Sequence, residues 1–176
     1  MSNKNKKNIE KIKLLALDVD GVLTDGKIIY DGAGREIKNF DVQDGFGLVF
    51  FQKAGFKTAF ISSRRSAVVT VRAKDLGIHQ VYQNAYPKMA AYRKLLKNFS
   101  LQDSEVCFVG DDLVDVPVLK RVGFAVGVPN AAAEVKAVVH YVTRKKGGDG
   151  AVREVIELIL KTQGKWDSLL ERIYHG

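Results

Sequence analysis

A single cysteine, Cys107, set in an apolar run, excludes a disulfide framework and suits a reducing compartment. No apolar run approaches the length of a bilayer span, and the first residues lack the apolar centre of a secretory signal. Neither an internal repeat nor a linker long enough to divide domains is present. The expectation is one cytoplasmic domain with no membrane partner, and 176 residues are enough to bury a full core.

Acids are scarcer than bases, which leaves a net charge of +8. Half of that excess lies in residues 1–13, where Lys4, Lys6, Lys7, Lys11 and Lys13 face only Glu10. Residues 1–12 are therefore expected to be a disordered, solubilising basic leader rather than a nucleic-acid arm. No nucleic-acid partner is expected, and the remaining positive charge would draw anionic substrates.

What is present is organised around residues 13–26. The apolar run Leu14–Leu17 reads as a short buried strand that ends in Asp18 and Asp20, with Gly21 behind them. Packing gives no reason for a strand to finish in paired acids. Like charges this close call for a cation between them or a shared proton. Ligands of open α/β sheets bind at the carboxyl ends of strands, so a carboxylate site for a hard metal ion is expected here.

Further along, 27–42 reads as a β-hairpin around Asp31-Gly32-Ala33-Gly34. Asp44-Gly45 opens a helix with Phe46, Val49, Phe50 and Lys53 at helical spacing. Strands are expected at 56–62, 78–83, 104–109, 124–128 and 138–142, and helices at 66–76, 87–99, after Asp112, near Ala131 and at 151–163. Gly77 is a stop signal for the helix at 66–76. Pro117 is anomalous inside the helix expected to run through Arg121. Strands alternating with helices indicate an α/β fold, a Rossmann-like parallel sheet wound by helices, with the hairpin as its insertion and no cap domain. The domain is expected to span 13–163, followed by a polar-aromatic tail at 164–176. In that tail Trp166, Leu169, Leu170 and Ile173 recur at helical spacing, which suits docking on its own core.

Four short motifs fall where strands end or helices begin: Asp18-x-Asp20, Ser62, Lys88 and Asp111-Asp112-x-x-Asp115. Taken alone, Ser62 reads as a turn serine, and Asp111 and Asp112 as helix caps. Lys88 is a cation in a first helical turn, where the helix dipole disfavours it, and that placement points to a role beyond solubility. Together, in this order, the motifs resemble the haloacid dehalogenase superfamily of phosphotransferases. That resemblance implies Asp18 as nucleophile, Asp20 as general acid and base, Ser62 and Lys88 on the phosphoryl group, and Mg²⁺ held by Asp18, Asp111 and the backbone carbonyl of Asp20. It also implies that Asp112 and Asp115 orient Lys88 or metal-bound water. An all-oxygen, carboxylate-poor shell suits Mg²⁺.

Four longer stretches narrow the likeness: Leu17–Gly26, Phe40–Gly45, Gly110–Pro117 and Tyr141–Glu154. They resemble the 3-deoxy-D-manno-octulosonate 8-phosphate phosphatases of lipopolysaccharide synthesis. That family implies a Mg²⁺-dependent homotetramer, with hairpins packed centrally and neighbouring subunits completing each site. Arg64, Arg65 and the segment holding Arg144, Gly147 and Gly148 are then candidates for binding a sugar-acid phosphate, since guanidinium grips such oxyanions bidentately. A nonulosonate 9-phosphate phosphatase would share all four motifs. A phospho-accepting receiver module would lack Asp20, and an assembly protein with a dead site would have no need of all the acids together with Lys88. One departure stands out: Ser63 occupies a position that is commonly glycine in the family, and it would be strained if the backbone there had positive φ.

Overall fold

The computed structural model describes residues 2–175, apart from the side chain of Ile173. In chain order the elements are α1 (Asn3–Ile9), β1 (Leu14–Leu17), β2 (Ile29–Tyr30), β3 (Glu36–Ile37), α2 (Val42–Lys53), β4 (Lys57–Ile61), α3 (Ala67–Asp75) and β5 (Gln80–Tyr82). There follow α4 (Lys88–Phe99), β6 (Val106–Gly110), α5 (Val116–Leu119), β7 (Phe124–Gly127), α6 (Ala133–Lys136), β8 (Tyr141–Val142), α7 (Ala151–Thr162) and α8 (Trp166–Tyr174). Six strands form one parallel sheet in the order β5-β4-β1-β6-β7-β8, and β2 pairs with β3 in the separate hairpin.

The apolar runs explain the centre of this sheet. Every residue of β1, β6 and β7 is buried, as continuous hydrophobic strands covered on both faces require. On one side α2 packs on α7, which also touches α1 and α8, while α4, α5 and α6 form a second group. The chain leaves β1 for β4 and β5 on one side, then crosses to β6, β7 and β8 on the other. That reversal puts the topological switch point beside β1, where its carboxyl end opens between β4 and β6. Leu17 stands level with Phe60 and Val109, and Asp18 extends the ladder by donating its N–H to the Val109 carbonyl at 2.9 Å. Register alone therefore brings the ends of three strands together around Asp18.

Three expectations change. The leader is not disordered: α1 is capped by Ser2, and Ile9 and Ile12 are fully buried. Gln163 ties it down by donating to the carbonyls of both Ile9 and Ile12 at 2.9 Å. Composition hid this because one isoleucine face among lysines suffices when another helix supplies the remaining contact. The helix expected through Arg121 is instead a 3₁₀ turn, Leu113–Asp115, followed by short α5. Pro117 sits in the first turn of α5, where its missing N–H costs no helical bond. In α2 the buried apolar side chains are Leu48, Phe50 and Phe51, whereas Phe46 is exposed.

The tail docks in cis. Leu169 is buried, and the Trp166 ring lies under the cations of Arg153 and Lys161 at 5.4 and 5.0 Å. Ile173, the last residue of the expected apolar stripe, has a side chain outside the described set.

Candidate active site

The loop after β1 is shaped by close backbone approach. Gly21 has φ +90°, and a Cβ there would collide with the Asp111 carboxylate, so glycine lets the loop close over that acid. Thr24 accepts through Oγ1 from the N–H of Gly21 at 3.3 Å and of Gly26 at 3.2 Å. The 147–148 segment presses on the same loop from outside. A side chain at Gly147 would strike the Gly21 carbonyl, and Gly148 donates its N–H to the Val22 carbonyl at 3.0 Å. Asn130 bridges the two by donating to the Gly21 carbonyl and accepting from the Gly147 N–H, both at 2.9 Å.

Asp18 is nearly buried, and its Oδ1 is fixed by the Val19 N–H at 2.7 Å and the Lys88 ammonium at 2.9 Å. Lys88, at the start of α4, is itself buried and also pairs with Asp115 Oδ1 at 2.6 Å. Asp115 has no exposed surface, and its Oδ2 accepts from the N–H groups of Asp111 at 2.9 Å and Asp112 at 3.2 Å. The roles of the two acids after β6 thus separate. Asp115 orients Lys88, while exposed Asp112 caps the 3₁₀ turn by accepting from the Leu113 N–H at 2.8 Å.

Carboxylate atoms of Asp18, Asp111 and Asp115 lie within 4.8 Å of one another. Burial first, then repulsion from Asp115, raises the Asp18 carboxyl above its ordinary range against the pull of Lys88. Burial, then Asp18 and Asp115, raises Asp111 likewise. The Lys88 ammonium is pushed down by burial, but Asp18 and Asp115 outweigh this and hold it charged. Asp111 Oδ1 is buried and has no hydrogen-bond partner. With Asp115 committed to Lys88 and two amides, Asp18 and Asp111 are the carboxylates free to take a cation. An orphaned oxygen among crowded acids, with only oxygen donors, fits a hard divalent ion.

The site is a cleft of about 320 Å³ lined by Asp18, Asp20, Ser62, Arg64, Lys88 and Asp111 among others, with Ile28 and Val114 as apolar walls. A larger groove of about 900 Å³ lies at the other ends of the strands, beside Lys13, Lys57 and Glu105. None of the motif residues lines it, so chemistry rather than size locates the site. Ser62 is buried at the end of β4, and its Oγ accepts from the Arg64 N–H at 3.2 Å. Ser63 does not have positive φ, because Asn84 and Ser100 alone hold that conformation among the described non-glycine residues. The strain feared for serine at that position is therefore absent.

Four candidates for substrate contact fall outside the lining of this cleft: Arg65, Arg144, Gly147 and Gly148. Arg65 and Arg144 are exposed, and the backbone N–H of Arg144 is held by the Glu154 carboxylate at 3.0 and 3.1 Å. Gly147 and Gly148 use their missing side chains to buttress the β1 loop, as described above. Conversely, Glu36, Lys38 and Asn130 meet the site residues without having been expected. The alternation Glu36-x-Lys38 was the available signal for the first two, since it puts both on one face of a strand. Asn130 left no such trace.

The haloacid dehalogenase-like hydrolase family matches residues 34–156. The 3-deoxy-D-manno-octulosonate 8-phosphate phosphatase KdsC of Yersinia pestis is 44% identical over 154 residues, covering 88% of this chain and 82% of its own. The Escherichia coli K12 enzyme of the same name is 43% identical over 158 residues, covering 90% of this chain and 84% of its own. The chain belongs to the haloacid dehalogenase-like hydrolases. Among solved structures, the 3-deoxy-D-manno-octulosonate 8-phosphate phosphatase of Moraxella catarrhalis, in complex with magnesium ion, phosphate ion and KDO, superposes with a TM-score of 0.95. It is 43% identical, and the match covers 98% of this chain and 99% of that one. A cobalt-bound phosphatase of Haemophilus influenzae superposes with a TM-score of 0.86 at 38% identity, covering 90% of this chain and 92% of that one.

Proposed function

We propose that this chain is a Mg²⁺-dependent phosphomonoesterase that hydrolyses 3-deoxy-D-manno-octulosonate 8-phosphate to the free sugar acid and phosphate. The observation that carries the reading is the cleft itself: a lysine-held aspartate and an orphaned carboxylate oxygen at the switch point of a parallel sheet. Relatives bearing that activity in their names, similar along most of the chain, support the choice of substrate.

In this reading Asp18 attacks phosphorus as the bond to the sugar oxygen breaks, and an aspartyl-phosphate forms on Asp18. Asp20 gives its proton to the departing alkoxide, then takes one from the water that cleaves the intermediate. Ser62 donates its hydroxyl hydrogen to a phosphoryl oxygen, and Lys88 balances charge on the phosphoryl group and Asp18. Asp115 keeps Lys88 aimed and charged. When bound at Asp18, Asp111 and the Asp20 carbonyl, Mg²⁺ neutralises charge on the phosphoryl oxygens. Arg64, on the cleft wall, is the cation best placed for the anionic groups of the substrate.

The catalytic unit is taken to run from 13 to 163 and to work in the cytoplasm as a homotetramer. Among the described residues no helix is long and apolar enough to cross a membrane. Ile28, Tyr30 and Ile37 on the hairpin side, with Val42 and Phe46 at the start of α2, are exposed apolar groups that suit burial against further copies. The deciding experiment is phosphate release over a panel of sugar phosphates with Mg²⁺. The octulosonate ester is expected to give the highest kcat/KM, and a clear preference for a nine-carbon ester would reassign the substrate.

A further inference from the structure

Glu36 in β3 and Lys38 just after it are charged residues that the cluster around Asp18 does not use. Lys38 pairs with Asp20 Oδ1 and, at 3.2 Å, with Glu36 Oε1. Arg64, from the loop after β4, closes the other side. Its Nη2 lies 2.9 Å from Glu36 Oε1 and its Nη1 3.4 Å from Asp20 Oδ2. Asp20, Lys38, Glu36 and Arg64 thus form a closed ring in which opposite charges alternate. Ser66, which caps α3, donates its hydroxyl to the second oxygen of Glu36 and anchors the ring to the sheet domain.

The members of the ring are not equally accessible. The Lys38 side chain is 1% exposed, whereas that of Arg64 is 37% exposed and lines the cleft. A buried ammonium is retained only when its charge is matched, and here both of its partners are carboxylates. Each oxygen of Asp20 therefore meets a different cation, one from the hairpin and one from the core. The hairpin segment thereby reaches the Asp20 carboxyl directly.

We propose that Lys38 is a positioning residue for proton transfer, holding the Asp20 carboxyl in the orientation from which its proton reaches the leaving oxygen. This rests on the reading of Asp20 as general acid. In the step concerned, an Asp18 oxygen bonds to phosphorus while the phosphorus–sugar oxygen bond breaks. The electron pair of that bond stays on the sugar oxygen, which takes the Asp20 proton. Asp20 is left as a carboxylate facing Lys38 and Arg64, so the ring meets the charge that appears there.

The test exploits leaving groups that differ in their need for a proton. kcat/KM, which reports through phosphoenzyme formation, is measured with Mg²⁺ for wild type and Lys38→Met on two esters. The octulosonate phosphate releases an alkoxide and needs the acid, whereas p-nitrophenyl phosphate releases a stable phenolate and does not. Lys38→Met is expected to lose about 100-fold on the sugar ester and less than about threefold on the aryl ester, in line with the size of general-acid catalysis. Lys38→Arg is expected to recover most of the loss. Equal losses on both esters, or no loss on either, would overturn the positioning role. Should Lys38→Met fail to fold, Glu36→Gln, which opens the ring but leaves Lys38 in place, carries the same test with the same opposing outcomes. Wild-type protein that hydrolyses neither ester would overturn the phosphatase reading and the proposal with it, a result visible before any substitution is made.

Discussion

Two charge clusters sit side by side at the strand ends, and they are balanced differently. Around Asp18, three mutually close acids share one lysine, and one carboxylate oxygen is buried without a partner. Around Asp20, two acids and two cations close on themselves. The first arrangement is deficient in positive charge and fits a divalent ion. The second is complete and so can hold a direction. In the proposed mechanism, the residue that bonds to phosphorus and the residue that moves the proton thus have different electrostatic surroundings.

Substitution breaks the comparison most sharply at the nucleophile. Asp18→Asn removes the attacking oxygen and is expected to lower kcat on the sugar phosphate by at least about 10⁴-fold, read by phosphate release. Asp20→Asn is expected to cost about 10²- to 10⁴-fold on the same ester, because only the proton step is lost. A smaller loss for Asp18→Asn than for Asp20→Asn would reverse the assigned roles.

Metal removal probes the imbalance itself. Saturating Mg²⁺ is expected to raise the Tm by about 5–10 °C over the chelated protein, measured by differential scanning fluorimetry. Asp111→Asn should abolish that increment, and it should also raise the Tm of the chelated protein by relieving repulsion. An unchanged Mg²⁺ response in Asp111→Asn would place the ion elsewhere.

Asp44 offers a contrast on a smaller scale, as a buried acid that forms no salt bridge among the described residues. Its Oδ1 accepts from the Arg153 N–H at 2.8 Å at the start of α7, and its Oδ2 has no partner. Burial raises its carboxyl to about 6 from 3.8, against the pull of the α7 amides. The folded state therefore binds this proton more tightly than the unfolded chain does. The resulting stabilisation is complete below about pH 4 and is lost as pH rises through about 6. Asp44→Asn should flatten the pH dependence of stability in that window by up to about 3 kcal/mol, measured by urea unfolding at a series of pH values. An identical slope in the variant would contradict the assignment.

The difference between the clusters also explains what the sequence made legible. Asp18, Asp20, Ser62, Lys88 and Asp111 stand at the boundaries of strongly patterned strands and helices, so their places could be read from the sequence, and the resemblance carried by the four motifs together supplied their expected roles. The parallel sheet followed from the same alternation. Glu36 lies on a strand of two residues and Lys38 just beyond it, and the contact of Lys38 with Asp20 spans 18 positions with no local periodicity to mark it. Asn130 joins Gly21 across 109 positions. The basic leader was misread because its two isoleucines are buried by α7 and its surroundings rather than by any pattern of its own. Local rules reach residues placed by the end of an element, and they miss residues placed by the meeting of two.

The central claim is that Asp18 carries the phosphoryl group. Its most direct measurement is borohydride reduction of the enzyme quenched during turnover of the sugar phosphate, followed by peptide mass spectrometry. An aspartyl-phosphate is converted to homoserine by this treatment, and the account predicts that conversion at Asp18 alone, dependent on both substrate and Mg²⁺. Asp18 recovered unmodified during active turnover, or homoserine at another aspartate, would contradict it.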